Sequence, residues 1–189
     1  EALRQPMETG RTTISRANAH VTYPARFQCI AAMNPCRCGY LGDPARECAK
    51  VPGCGQDYQM RLSGPLLDRM DLTIEIQPLP PAELARAPIG ETSDIVAARV
   101  AAARERQRAR GGARCNAEAE WDALQSTADS EALSLLETAS TRLRLSTRGT
   151  VRALRVARTI ADLAGLARTA RAHVAEALAF RHRMPGRNG

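Results

Sequence analysis

Four cysteines stand within 19 residues, at Cys36, Cys38, Cys48 and Cys54, in the pattern C-x-C-x9-C-x5-C. Gly39, Gly42, Pro44, Pro52, Gly53 and Gly55 surround them, so the segment reads as a loop. A loop this long and this poor in apolar residues needs something to order it. Zinc held in a tetrahedron of thiolates would do so. The common C-x2-C pair is absent, free thiols are the plainer alternative, and disulfides suit a reducing compartment less well. Cys29 and Cys115 read as ordinary small apolar or incidental positions.

A second set of residues can address a ligand. Asn34 closes the apolar run Phe27-Gln28-Cys29-Ile30-Ala31-Ala32-Met33, and Pro35 follows it. The run reads as a strand buried on both faces, as in parallel sheets, and the proline ends its ladder. A polar residue at the carboxyl end of such a strand lies where open α/β sheets bind ligands. A simple turn residue before proline is the other reading of Asn34. Arg69 lies in Leu66-Leu67-Asp68-Arg69-Met70-Asp71, after Ser63-Gly64-Pro65. Ser63 caps a short helix with Pro65 in its first turn, and that helix delivers Arg69 to a surface ahead of the strand-like Thr73-Ile74-Glu75-Ile76. Flanked by two aspartates, Arg69 is either a surface ion-pair residue or a planar fork offered to a phosphate. His173 and His182 have no Glu or Cys partner at metal spacing.

Around these residues the pattern predicts the end of a helix over 1–9, stopped by Gly10. A β-hairpin follows from TTIS (12–15) and AHVTY (19–23) about Arg16-Ala17-Asn18. Proline-rich linker sequence separates this region from a helical bundle. The first bundle helix is capped by Ser93 or Asp94 and runs to Arg110, where Gly111-Gly112 stop it. Asn116 opens a short helix with Trp121 and Leu124. Asp129-Ser130 opens another with Leu133, Leu136, Ala139 and Leu143. Ser146 caps a helix that places Val151, Leu154, Ala157, Ile160, Ala161 and Ala164 on one face, ended by Gly165. Thr169 caps the last, with Val174, Ala177 and Leu178 inward. On the Ser146 helix, Arg148, Arg152 and Arg155 lie near one face with Arg158 beside them, a solvated basic face on the simplest reading.

The charge is unevenly placed. Of 27 basic residues 26 are arginine, and the formal net charge is +7. Residues 1–94 hold 10 basic and 11 acidic side chains, net −1, whereas residues 95–189 hold 17 and 9, net +8. Ten of the 11 prolines fall at or before Pro88. A hydrophobic fraction of 44% argues against disorder. No apolar run reaches the roughly 18 residues of a spanning helix, and the polar start is not a signal peptide. The expectation is a soluble, cytoplasmic protein without a membrane partner.

Taken together, FQCIAAMNPC (27–36), the cysteine loop, RLSGPLLDRMDL (61–72), LSTRGTVRALRVARTIADLAG (145–165) and AHVAEALAFR (172–181) resemble magnesium-chelatase-like AAA+ ATPases of the competence-protein type. The resemblance spans nearly the whole chain in order. It implies an α/β fold followed by an all-α one: residues 1–80 as the C-terminal part of an AAA+ core with a Cys-rich insertion at 36–54, a linker at 81–92, and a helical lid domain at 93–189. It also implies roles. Asn34 becomes sensor 1, orienting the attacking water near the γ-phosphate. Arg69 becomes the arginine finger for the neighbouring subunit's nucleotide, and Arg148, in the first turn of its helix, becomes sensor 2. The hairpin bearing Arg16 faces the pore of related ring helicases. With Arg152, Arg155 and the arginines at 168, 171, 181, 183 and 187, it gives a candidate footprint for DNA. The cysteine loop matches a zinc-type insertion found in some members.

One departure matters. No G-x-x-x-x-G-K-[ST] run occurs, and Lys50 is the only lysine. P-loop catalysis relies on that lysine and on Mg²⁺. The chain is therefore expected to be inactive alone. It is expected to complete, with the remainder of its own AAA+ module, a hexamer that binds ATP and Mg²⁺ and drives DNA branch migration or unwinding. A metal-insertion chelatase subunit and a non-enzymatic nucleic-acid-binding helical module are the alternatives.

Overall fold

The computed structural model describes residues 2–17, 19–41, 43, 46, 48–50, 53–76, 79, 83, 86 and 90–181. These form two compact units that divide between Met70 and Asp71. The linker assigned to 81–92 lies mostly outside the described residues, as do His182, Arg183 and Arg187. The architecture is mixed α/β, with one two-stranded sheet among the described residues and otherwise helices.

The first unit begins with α1 (Arg4–Thr9). Gly10 ends it at φ 64°, donating its N–H to the Pro6 carbonyl at 2.9 Å. Only glycine suits this position, because the backbone is left-handed and a Cβ would stand 2.8 Å from Arg26 Cγ. Strands β1 (Arg11–Arg16) and β2 (Ala19–Pro24) pair antiparallel, with Ile14 opposite Val21 and Thr12 opposite Tyr23. The hairpin expected around Arg16 is therefore present. Residues that alternate along it share faces, so Tyr23, Ile14, Val21 and Arg16 line one side, while Thr13, Thr22, Ser15 and His20 line the other. Two short helices follow, α2 (Gly53–Gln59) and α3 (Gly64–Leu67). Ser63 caps α3 as expected, its hydroxyl accepting from the Leu66 N–H at 3.3 Å.

The buried parallel strand expected over 27–33 is not formed, nor is the strand expected over 73–76. Both segments lack a ladder, and Phe27, Ile30 and Met33 are exposed by 48%, 86% and 40%. The physical reason is the neighbour requirement. A parallel strand must pair on its edges and be covered on both faces, and the described residues supply neither. Ile74 and Ile76 are bare in the same way, and in that second segment Thr73 N–H bonds the Phe180 carbonyl at 2.8 Å.

The second unit is a helical bundle of α4 (Ser93–Arg110), a 3-10 turn (Asn116–Glu118), α5 (Trp121–Ser126), α6 (Ser130–Arg142), α7 (Thr147–Leu163) and α8 (Arg171–Ala179). Helix α7 is central and packs on α4, α5, α6 and α8. Its apolar stripe supplies Ala153, Leu154 and Ala157 to a core shared with Leu124, Ala132, Leu136, Val174 and Ala177. With so few aromatics, alanines bring the helices close and leucines fill the gaps. Ser146 caps α7, accepting from the Gly149 N–H at 3.0 Å. Gly111, at φ 74°, stops α4 and Gly165, at φ 76°, follows the end of α7.

Three capping expectations need correction. Thr92, not Ser93 or Asp94, is the N-cap of α4. Asn116 opens only the 3-10 turn, because its side chain is drawn into a buried polar network. Thr169 does not cap α8. It is fully buried one residue earlier, and the imidazole Nδ1 of His173 accepts the Ala170 N–H at 2.9 Å instead.

The network around Asp162 replaces part of the expected basic face. Asp162 has no exposed surface, and its carboxylate accepts from both Arg110 guanidinium nitrogens at 2.7 Å, from Arg158 at 2.9 Å and from Asn116 Nδ2 at 2.8 Å. Arg158, 1% exposed, also donates to the Ala167 and Leu166 carbonyls at 2.8 and 2.5 Å. Arg158 is thus core, not surface. Burial opposes ionisation of Asp162, but the hydrogen bonds from Arg110 and Asn116 and the charge of Arg158 outweigh it, and the carboxyl pKa is held below its ordinary value.

Candidate metal centre and phosphate-facing residues

The loop after Pro35 folds back on itself so that the sulfurs of Cys36, Cys38, Cys48 and Cys54 all lie within 4.8 Å of one another. Cys54 reaches the group from α2, and its N–H bonds the Lys50 carbonyl at 2.9 Å. Cys36 and Cys48 are buried, Cys54 is partly covered and Cys38 is exposed. None of the six cysteines is in a disulfide. A zinc ion with Zn–S bonds of about 2.3 Å places its thiolates about 3.8 Å apart, so the cluster fits a tetrahedral thiolate site.

Its protons are already contested. Burial disfavours the Cys36 thiolate, yet hydrogen bonds from the Cys38 thiol and from the backbone of Leu41, Cys38 and Gly39 outweigh that and bring its pKa to about 7. The Tyr40 backbone favours the Cys38 thiolate. The hydrogen bonds it shares with Cys36, Cys48 and Cys54 act more strongly, and its pKa rises to about 12. Cys36 Sγ and Cys38 Sγ stand 3.1 Å apart. A cation in the middle would relieve this crowding and hold all four sulfurs as thiolates.

Asn34 is exposed and sits two residues ahead of Cys36. The peptide between them is held from α2: Gln59, 2% exposed, donates its Nε2 to the Pro35 carbonyl at 3.0 Å. Gly55, on the same helix, is buried, and a Cβ there would stand 2.6 Å from Leu41 Cδ2 and 3.7 Å from the Pro35 oxygen. Nothing in the one-dimensional pattern marks Gln59, because its partner lies 24 residues away and is a backbone oxygen.

Arg69 is not at a surface, as its helix position suggested, but 8% exposed. It follows the end of α3, and its Nη1 folds back to donate to the Pro65 carbonyl at 2.6 Å, while Nη2 pairs with Glu8 of α1. Of the two nearby aspartates, Asp71 accepts from Arg152 Nη1 at 2.5 Å.

On α7 the arginines separate by role. Arg148 is exposed in the first turn. Arg155 grips the Ala119 carbonyl through Nε and Nη2 at 3.0 and 2.9 Å. Burial, together with the neighbouring Arg152 charge, lowers its pKa. Arg168 pairs with Asp129 and donates to the Ala128 carbonyl at 2.7 Å. Arg16 stands exposed at the hairpin tip. A continuous arginine stripe on α7 is therefore not available as a free surface, because 152, 155 and 158 knit the bundle together.

The chain matches two family models in succession, "Magnesium chelatase, subunit ChlI" over residues 1–84 and "Magnesium chelatase, subunit ChlI C-terminal" over residues 90–181. It is 45% identical over 188 residues to the competence protein ComM of Haemophilus influenzae, covering 96% of this chain and 36% of that protein. It is 42% identical over 184 residues to the uncharacterized protein YifB of Escherichia coli, with the same shares covered. A Mycobacterium tuberculosis protein is 41% identical over 186 residues, again with 96% of this chain and 36% of the relative covered. The chain thus spans about a third of the length of these relatives. It belongs to the magnesium-chelatase-like family of ComM and YifB.

Proposed function

We propose that this chain supplies the sensor, arginine-finger and lid elements of an oligomeric AAA+ ATPase that moves DNA. The carrying observation is the unbroken similarity to ComM across 96% of the chain, through both family segments in order. ATP and Mg²⁺ are held mainly by residues outside this chain, since its sequence carries no G-x-x-x-x-G-K-[ST] run. Bound there, ATP would supply the phosphoryl group and Mg²⁺ would offset its negative charge.

The chain's own residues act by position and charge rather than as nucleophiles. The Asn34 amide orients the attacking water. Arg148, near the positive end of α7, stabilises charge on the γ-phosphate. Arg69 reaches a neighbouring subunit's nucleotide, exchanging the Glu8 carboxylate for phosphate oxygens of similar demand on the guanidinium fork. The four cysteines hold a structural zinc that orders the loop after Asn34. Closed-ring assembly, as a hexamer in the cytoplasm, turns the hairpin toward the pore, where Arg16 meets the DNA backbone. The work is branch migration or unwinding during natural transformation. Arg152, Arg155 and Arg168 play a smaller part in DNA contact than their number suggests, because each has an internal partner.

A second reading, a chelatase subunit that drives magnesium insertion, is favoured by the description of both matching family models. One comparison separates the two. The full-length protein is expected to hydrolyse ATP faster when DNA is added, with Asn34→Ala losing turnover but not ATP binding. DNA-indifferent hydrolysis that supports magnesium insertion into a tetrapyrrole would select the chelatase reading instead.

A further inference from the structure

The metal centre and Asn34 are joined by very little free chain. Asn34 precedes a proline, which restricts it to extended backbone, and the ring of Pro35 fixes its own φ. The torsion left open is ψ of Pro35, which sets where the Pro35–Cys36 peptide points. That peptide's oxygen accepts from Gln59 Nε2 at 3.0 Å. Gln59 is 2% exposed, and its Oε1 is buried without a hydrogen-bond partner among the described residues. So the side chain is held in place through its donor end alone. It closes α2, the helix that carries Cys54, and Gly55 lets that helix approach Leu41 and the Pro35 oxygen closely.

We propose that Gln59 is a positioning residue that couples the four-cysteine metal centre to Asn34, so that metal occupancy sets where the Asn34 amide stands. Metal on Cys36 and Cys54 fixes both the start of the loop and α2. Gln59 closes the triangle by tying α2 to the peptide beside Cys36, and the stiff Asn34-Pro35 link transmits that position. The proposal rests on the zinc and Asn34 roles given above, and it makes zinc a part of turnover rather than of folding alone.

The test uses the full-length protein and Gln59→Met, which keeps the side-chain length and removes the donor. Zinc should remain at one ion per chain, but a chelator should strip it several-fold faster. The kcat for ATP should fall about tenfold, the scale of one lost hydrogen bond, with KM nearly unchanged. Unchanged kcat, or reduced kcat with unaltered zinc release, overturns the coupling while leaving the ATPase reading intact. If Gln59→Met does not fold, the unaltered protein decides. Removing zinc should lower kcat without changing ATP affinity, and restoring zinc should bring kcat back; kcat indifferent to zinc overturns the proposal. No turnover in the unaltered protein at all would overturn the role of Asn34 first, and the coupling with it.

Discussion

Replacing Asp162 by alanine tests the bundle's internal wiring. The carboxylate has no exposed surface and satisfies four donors from Arg110, Arg158 and Asn116. Its loss affects the two arginines unequally. Arg110 is 29% exposed and can turn to water, whereas Arg158 is 1% exposed and cannot. Arg158 keeps its carbonyl partners at Leu166 and Ala167 but becomes a buried charge without a counterion. Removing one partner of a buried ion pair costs about 3–5 kcal/mol. For a helical unit of this size that corresponds to about 12–20 °C in Tm. Urea unfolding followed by far-ultraviolet circular dichroism measures it, provided the slope with denaturant is unchanged. The double variant Asp162→Leu/Arg158→Met removes both charges and should recover most of the loss. A single variant costing less than about 1 kcal/mol, or a double variant as costly as the two single changes added, would refute the reasoning.

Further consequences can be measured independently. Because the Asp162 pKa lies below its ordinary value in the folded chain, its contribution is fully present above the unfolded carboxylate pKa of about 3.9. It is lost as pH falls through the lower folded value, so the stability gap between the unaltered chain and Asp162→Ala should narrow only below about pH 4; a gap already closed at pH 6 contradicts this. The chain purified without chelators should carry about one zinc, and Cys48→Ser should release it. Zinc retention should weaken progressively as pH falls, because protons compete with the metal for the thiolates, and most steeply below about 7, where Cys36 is protonated as well. Elemental analysis across pH reads both effects. Ser146→Ala removes the cap on α7 and should cost about 1 kcal/mol in urea unfolding; no change would mean that water or Thr147 replaces it.

Local signals were legible in the sequence where they are carried by neighbouring residues. Gly10, Ser63, Ser146 and Gly165 mark element ends through short-range hydrogen bonds and left-handed backbone, and the structure places them as the residue types dictate. The hairpin about Arg16 and the apolar stripe of α7 are periodic features and were equally readable. The cysteine spacing pointed to one cluster, and the four sulfurs do converge.

What failed was nonlocal. The run 27–33 has a strand's composition, but a strand is completed by partners that composition does not contain. Arginine type likewise says nothing about burial: Arg158 and Arg69 sit inside, and the Glu8 that meets Arg69 lies 61 residues away. The i, i+4 spacing of Arg158 and Asp162 was the one local hint of the buried network. Thr169 lost its expected cap role to His173 because its hydroxyl faces the Arg158 guanidinium at 3.3 Å.

The claim that this chain completes an ATP-hydrolysing centre is tested most directly by turnover of the full-length protein carrying Arg69→Ala. An arginine that stabilises charge on the transferring phosphoryl group is worth about 10³-fold or more in kcat. A loss of that order is expected, with ATP affinity essentially retained. Turnover equal to that of the unaltered protein would contradict it, and would leave Arg69 as no more than the ion-pair partner of Glu8.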